Sequence, residues 1–180
     1  MSTHIHLWNA SASLESRKDD LTSEVASIFD LAVTWHRVPL DLSHAYDRSR
    51  GQYNSGAVLG EFLAAHPPDG NKHILVVDVD IFIPVLTFIF GEAQLGGGAA
   101  IVSTQRLKNE FYGIEKNDGM LIERLVKEIV HELGHTFGLY HCHQFECVMR
   151  SSTYVEEIDV KDEFLCKECG EKFRNSLSVN

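Results

Sequence analysis

The sequence predicts one sheet-and-helix domain, α/β or α+β, and three observations carry that reading. Its 180 residues fall in the single-domain range, where roughly 70% of the unfolded chain's surface can be buried. Short β-branched stretches alternate with segments of helical period, and no internal repeat or low-complexity tract interrupts them. The chain is 44% hydrophobic and 23% charged, which suits a soluble globular protein and excludes disorder, collagen and a membrane bundle.

Residues 4–9 alternate as a first strand does, and Leu21, Val25, Ile28, Phe29 and Ala32 then mark one helix face. Val33 to Val38 forms a second strand, ended by Pro39. A polar, tyrosine-bearing segment leads into a helix carrying Val58, Leu59, Phe62 and Leu63, which Pro67, Pro68, Asp69 and Gly70 stop. His73 to Val79, Val85 to Phe90 and Ala99 to Thr104 read as further strands, with Gly96 to Gly98 turning between the last two. The glycines are not followed by the Gly-Lys-Ser/Thr of a phosphate loop, so they read as a turn. Asn117 or Asp118 can cap the next helix by accepting a bond from a first-turn amide. Its apolar positions, Leu121, Ile122, Leu125, Val126, Ile129, Val130 and Leu133, wrap more than one stripe and predict a largely buried helix.

Sixteen basic against twenty-six acidic residues give a formal charge of −10, which repels phosphate backbones and anionic headgroups. Nucleic acid and membrane surfaces are therefore not expected as partners. The longest apolar stretch, Ile81 to Phe90, holds ten residues where a bilayer span needs about 20. The N-terminus has no basic and apolar leader, so a cytoplasmic protein is expected.

The buried helix runs into HELGHTFGLYH, from His131 to His141. At 3.6 residues per turn, His131 and His135 stand about 40° apart on one face, where two imidazoles can share one zinc ion. On a continued helix His141 would lie about 120° away and about 9 Å further along the axis, so the chain must turn back. Gly138 sits where that turn is needed. Three neutral histidines leave a fourth zinc position for water, as in catalytic sites. Glu132, directly after the first ligand, is placed to act as general base on that water, and the set predicts amide hydrolysis. A chain of this composition would show the pattern by chance roughly twice in ten thousand sequences.

All four cysteines lie at the C-terminal end, as Cys142 and Cys147 and then Cys166 and Cys169. In a reducing compartment these spacings favour a tetrahedral structural zinc over two local disulfides or a redox pair. Cys142 adjoins His141, so the closed site would clamp the chain that presents the third catalytic ligand.

HELGHTFGLYHC-x4-C-x-M followed by C-x2-C resembles the archaemetzincin family of zinc peptidases, and RGQYNS at Arg50 to Ser55 is similar to that family's upstream sequence. The resemblance implies an α+β, metzincin-like fold: a mixed sheet with packed helices, an active-site helix and a small zinc-stabilised C-terminal subdomain. It implies two zinc ions per chain, the catalytic one on His131, His135 and His141 and the structural one on Cys142, Cys147, Cys166 and Cys169. Glu132 would be the general base, and Met149 would lie in the turn beneath the catalytic metal. Read from the residues alone, Met149 is a core gap-filler and RGQYNS a turn and helix start. Ser151 stands where some metzincins carry a zinc-binding tyrosine; Arg150 and Tyr154 read as ordinary packed or solvated side chains, with assistance to the oxyanion as the alternative for either. The expected organisation is one catalytic domain over 1–180, with an N-terminal subdomain over 1–138 and a C-terminal one over 139–180. Peptide or protein substrates would lie along a rim strand within Val85 to Gln94. No cysteine precedes the catalytic motif, so a thiol switch is not expected within the chain. The rival reading is a catalytically silent, zinc-stabilised interaction module, against which the retained Glu132 argues.

Overall fold

A computed structural model describes residues 3–67 and 69–178. Alternating burial along the first strand, β1 (Ile5–Asn9), puts Ile5 and Leu7 on one face of a sheet and Trp8 on the other. Around it β2 (Val33–Arg37), β5 (Lys72–Val77) and β8 (Ala99–Ser103) run parallel, and β7 (Gly91–Ala93) closes one edge antiparallel to β8. The order is β2-β1-β5-β8-β7, a mixed sheet. A smaller sheet joins β3 (Tyr46–Asp47), β4 (Gln52–Asn54) and β6 (Ile81–Phe82).

Helices cover both faces, which parallel strands require because neither face can be left to water. On one side α1 (Lys18–Phe29) and α3 (Asp118–Thr136) pack on Ile74, Val76, Ala100 and Val102. On the other, α2 (Ser55–Ala65) packs Val58, Leu59 and Phe62 on Leu75, Val77 and Ile101. The odd–even alternation of the strand residues thus divides the core into two layers. Trp8 stacks there against His36 and packs beside His6, His66 and His73, with Nε1 donating to His73 Nδ1 at 3.1 Å. Beyond α3 come α4 (Val155–Asp159) and α5 (Lys167–Leu177). Phe173 of α5 packs edge-on against Phe29 and Phe137, with ring centroids 5.2 and 4.9 Å away. Arg124 grips Asp159 with two bonds of 2.6 and 2.8 Å, which ties α4 to α3.

Several expectations change. The first helix ends at Phe29, where Asp30 turns left-handed (φ 52°), so Ala32 lies beyond it. Val85 to Phe90 is not a strand. It is a turn whose tip leaves Val85 85% exposed, followed by a single bridge from Ile89 to Ile81. The rim strand within Val85 to Gln94 is β7 alone. The strands His73 to Val79 and Ala99 to Thr104 stop at Val77 and Ser103, and Val38 is buried just past the end of β2. Pro68 lies outside the described residues. No helix among those described is long and apolar enough to cross a membrane.

Candidate active site

Helix α3 starts where the side chain of Asn117 accepts from Met120 N at 3.0 Å, and it delivers His131, Glu132 and His135 to the foot of the β7 edge. Its end is sharp. Gly138 adopts φ +87° and donates to His135 O, while Leu139 N reaches back to Gly134 O. That reversal returns His141, and His131, His135 and His141 each place one nitrogen within 4.8 Å of the others. Lys72 Nζ and Gly96 N donate to the carbonyls of Thr136 and His135, so the glycine turn docks on the helix end.

The ring tautomers follow from the partners. His131 Nδ1 lies 2.8 Å from Val148 O and His135 Nδ1 2.7 Å from Leu139 O. A carbonyl only accepts, so both Nδ1 atoms must donate and both Nε2 atoms carry lone pairs. These two Nε2 atoms face each other at 3.1 Å. Facing lone pairs repel unless a cation lies between them, and two nitrogens on a tetrahedral zinc at about 2.05 Å would stand about 3.3 Å apart. Burial holds all three histidines below their ordinary pKa, His131 furthest with the charge of Lys161 adding to the effect. The donor set therefore fits zinc.

Glu132 is buried and lines a cleft of about 360 Å³ together with His131 and His141. Burial first, and repulsion from Glu128 second, push its carboxyl well above the ordinary range. Gly91 of β7 faces it so closely that a Cβ there would lie 2.6 Å from Glu132 Cγ. Met149 is fully buried against Gly134, the helix residue just before His135. Arg150 stacks on Phe145, and Tyr154, the N-cap residue of α4, is 64% exposed; neither lines the cleft.

The four cysteines also converge. Cys142, Cys147, Cys166 and Cys169 bring their sulfurs within 4.8 Å of one another, and none is joined to another. Cys142 Sγ and Cys166 Sγ are 3.8 Å apart, and the edge of a tetrahedron with Zn–S bonds of about 2.3 Å is about 3.8 Å. A second zinc fits this set.

Sequence reasoning missed Gly91, the carbonyls of Val148 and Leu139, and the buried pair of Glu128 with Lys161, 3.1 Å apart. Only Glu128 left a signal, since it precedes Glu132 by one helical turn and shares its face.

Residues 31–175 match peptidase family M54. An archaemetzincin of Methanocaldococcus jannaschii is 36% identical over 86% of this chain and 84% of its own length. One from Thermococcus kodakarensis is 44% identical over 75% and 73%. Among solved structures, an archaemetzincin of Methanopyrus kandleri superposes with a TM-score of 0.84 at 32% identity, covering 98% of this chain and 96% of that one. A zinc-dependent peptidase of Methanocorpusculum labreanum gives the same TM-score at 31% identity, with 94% and 99% covered. A chain that matches the family over residues 31–175, and its structures over 94% and 98% of its length, belongs to peptidase family M54, the archaemetzincins, and is a zinc metallopeptidase.

Proposed function

We propose that Glu132 is the general base of peptide-bond hydrolysis, with His131, His135 and His141 holding the catalytic zinc and the four cysteines a structural one. The observation that carries this reading is the facing pair of Nε2 lone pairs at 3.1 Å, one residue from a buried carboxyl that opens on the cleft. When bound, zinc supplies a Lewis acid for the scissile carbonyl and brings the pKa of water down to about 7. Glu132 takes a proton from the attacking water and returns it to the leaving nitrogen as the C–N bond breaks. The peptide lies extended along β7. There the bonds of Phe90 O and Gln94 N to β8 turn the main-chain groups of Gly91 and Ala93 to the open edge. The carbonyls of Val148 and Leu139 keep both helix histidines in the metal-ready tautomer.

Two zinc ions per chain follow from the two donor sets. Residues 1–138 supply sheet, edge and two ligands, and residues 139–180 supply the third ligand and the thiolates. Substrates are peptides or proteins in the cytoplasm. The charge of −10 argues against nucleic acid or membrane partners.

The test is digestion of a peptide library by the zinc-loaded protein, with cleaved bonds mapped by mass spectrometry. Glu132→Gln is expected to keep fold and zinc and to lose about 10²–10⁴-fold in turnover. Wild-type turnover in that variant would remove Glu132 from the chemistry. No cleavage by either protein would favour a silent interaction module.

A further inference from the structure

The cleft has a floor in α3 and a rim in β7, but its roof is the Ile83–Thr87 loop, a segment with little to hold it. Val85 is 85% exposed and Leu86 50%, and within the loop Leu86 N donates to Ile83 O in a single turn. Ile83, Leu86 and Thr87 nevertheless line the cleft. An apolar turn facing water would be expected to sample several positions unless other groups bind its carbonyls.

Those groups come from RGQYNS. Arg50 Nη1 donates to Leu86 O at 2.9 Å and Nη2 reaches Pro84 O at 3.4 Å, while the guanidinium lies 4.3 Å above the Phe82 ring. Gln52 Nε2 donates to Thr87 O at 3.0 Å and to Asp80 Oδ2 at 2.9 Å. Asp80 is itself fixed by two bonds from Arg106, at 2.6 and 2.7 Å. The next residues brace the same strand: Tyr53 and Asn54 pair with Ile81 and Phe82, and Ser55 Oγ donates to Phe82 O. Arg50 does not line the cleft. It grips the loop from the outer side, in a separate groove it shares with Pro84 and Val85.

We propose that Arg50 and Gln52 are positioning residues which hold the Ile83–Thr87 loop as the apolar roof of the cleft. They thereby set peptide affinity and the preference for an apolar side chain beneath Leu86 without touching the substrate. The inference rests on the peptidase reading above. The planar fork of Arg50 reaches two carbonyls at once, which lysine cannot do.

The experiment takes a peptide that the zinc-loaded wild-type protein cleaves, chosen from the library, together with its analogue carrying alanine at the preferred apolar position. In Arg50→Ala, KM is expected to rise about tenfold with kcat within about threefold, because ground-state and transition-state binding are lost equally. The preference for the apolar peptide over its alanine analogue should collapse. Hydrogen exchange should speed up at the Leu86 amide without a matching change in α3. In a Leu86→Ala background the same substitution should add little, since both act through one contact. Arg50→Lys should be intermediate, and it carries the test if Arg50→Ala does not fold. Unchanged KM and selectivity overturn the proposal, whether or not the loop amides loosen. If the wild-type protein cleaves no library peptide, the peptidase reading fails and the proposal with it. Cleavage with an indifferent Arg50 sinks the proposal alone.

Discussion

Gly91 owes its residue type to what stands opposite. Its backbone is not left-handed, but a methyl group at Cα would lie 2.6 Å from Glu132 Cγ and 2.7 Å from Oε1. The carboxyl is buried between that strand and the cleft it lines, so a new methyl must push it out of place. Gly91→Ala should therefore displace Glu132 and, with Glu132 as the proposed base, cost about 10²-fold in kcat/KM, with zinc content kept and the melting temperature changed by only a few degrees. Steady-state kinetics beside metal analysis checks this. Gly134→Ala is different in kind, because its new methyl would meet Met149 Sδ in a closed core. Here about 1–3 kcal/mol of stability should be lost, measurable by denaturant unfolding of the zinc-loaded protein. At this scale the site was half legible. His131, Glu132 and His135 follow from helical arithmetic and Gly138 from the need to turn, whereas Gly91 has no local signature because its partner is distant in sequence.

At the scale of elements, the four-cysteine segment reaches the histidines by two routes. Cys142 adjoins His141, and Cys142 N donates to Met149 O at 2.9 Å, beside the Val148 carbonyl that fixes the His131 ring. Cys166 N in turn donates to Cys147 Sγ at 3.4 Å. Cys166→Ser should thus lower zinc affinity at the histidine site by about 10–100-fold, in the range seen when outer-shell partners are lost. Far-UV circular dichroism should retain the α3 signal. Unchanged affinity, with the cysteine zinc gone, would mean that Gly138 and the packed helix end alone position His141. The helices α1, α2 and α3 were legible because each holds an apolar helical period for eleven residues or more, whereas α5, equally long, buries only Cys169, Gly170 and Phe173 and was not read as a helix. The strands β3, β4 and β6 have only two or three residues, too few to show a period. The apolar run at Val85 imitates a strand by composition alone: Val85 and Leu86 are exposed in the turn, and only Phe88, Ile89 and Phe90 pack on the core.

The whole molecule should release zinc in two stages under a chelator. The histidine site, open to the cleft, goes first and takes activity with it; the cysteine site goes second and takes ordered structure. One zinc per fully reduced chain, or one step for both signals, would contradict two separate sites. Acid should act through the histidines packed beside Trp8. Burial first, then the neighbouring His73, lower the pKa of His6 and His36; His4 adds to this for both and Asp69 opposes it for His6. A depressed imidazole favours the neutral folded form, so its stability is present above the ordinary value of about 6.5 and lost as pH falls below it. Melting of the zinc-loaded protein should drop from about pH 7.5 to about 5.5, and His6→Gln should flatten that slope. Sheet order was not legible, because β5 lies between β1 and β8 through contacts that no local pattern encodes. The open edge at β7 carries a further consequence. Main-chain groups that accept a foreign backbone will also accept a sibling's, and paired edges are how sheet proteins begin to aggregate. This edge is three residues long, and antiparallel pairing centred on it would set Glu92 opposite Glu92. Two like charges at the midpoint of so short a ladder oppose that pairing, and Glu92→Val should turn a well-behaved solution into one that self-associates as concentration rises.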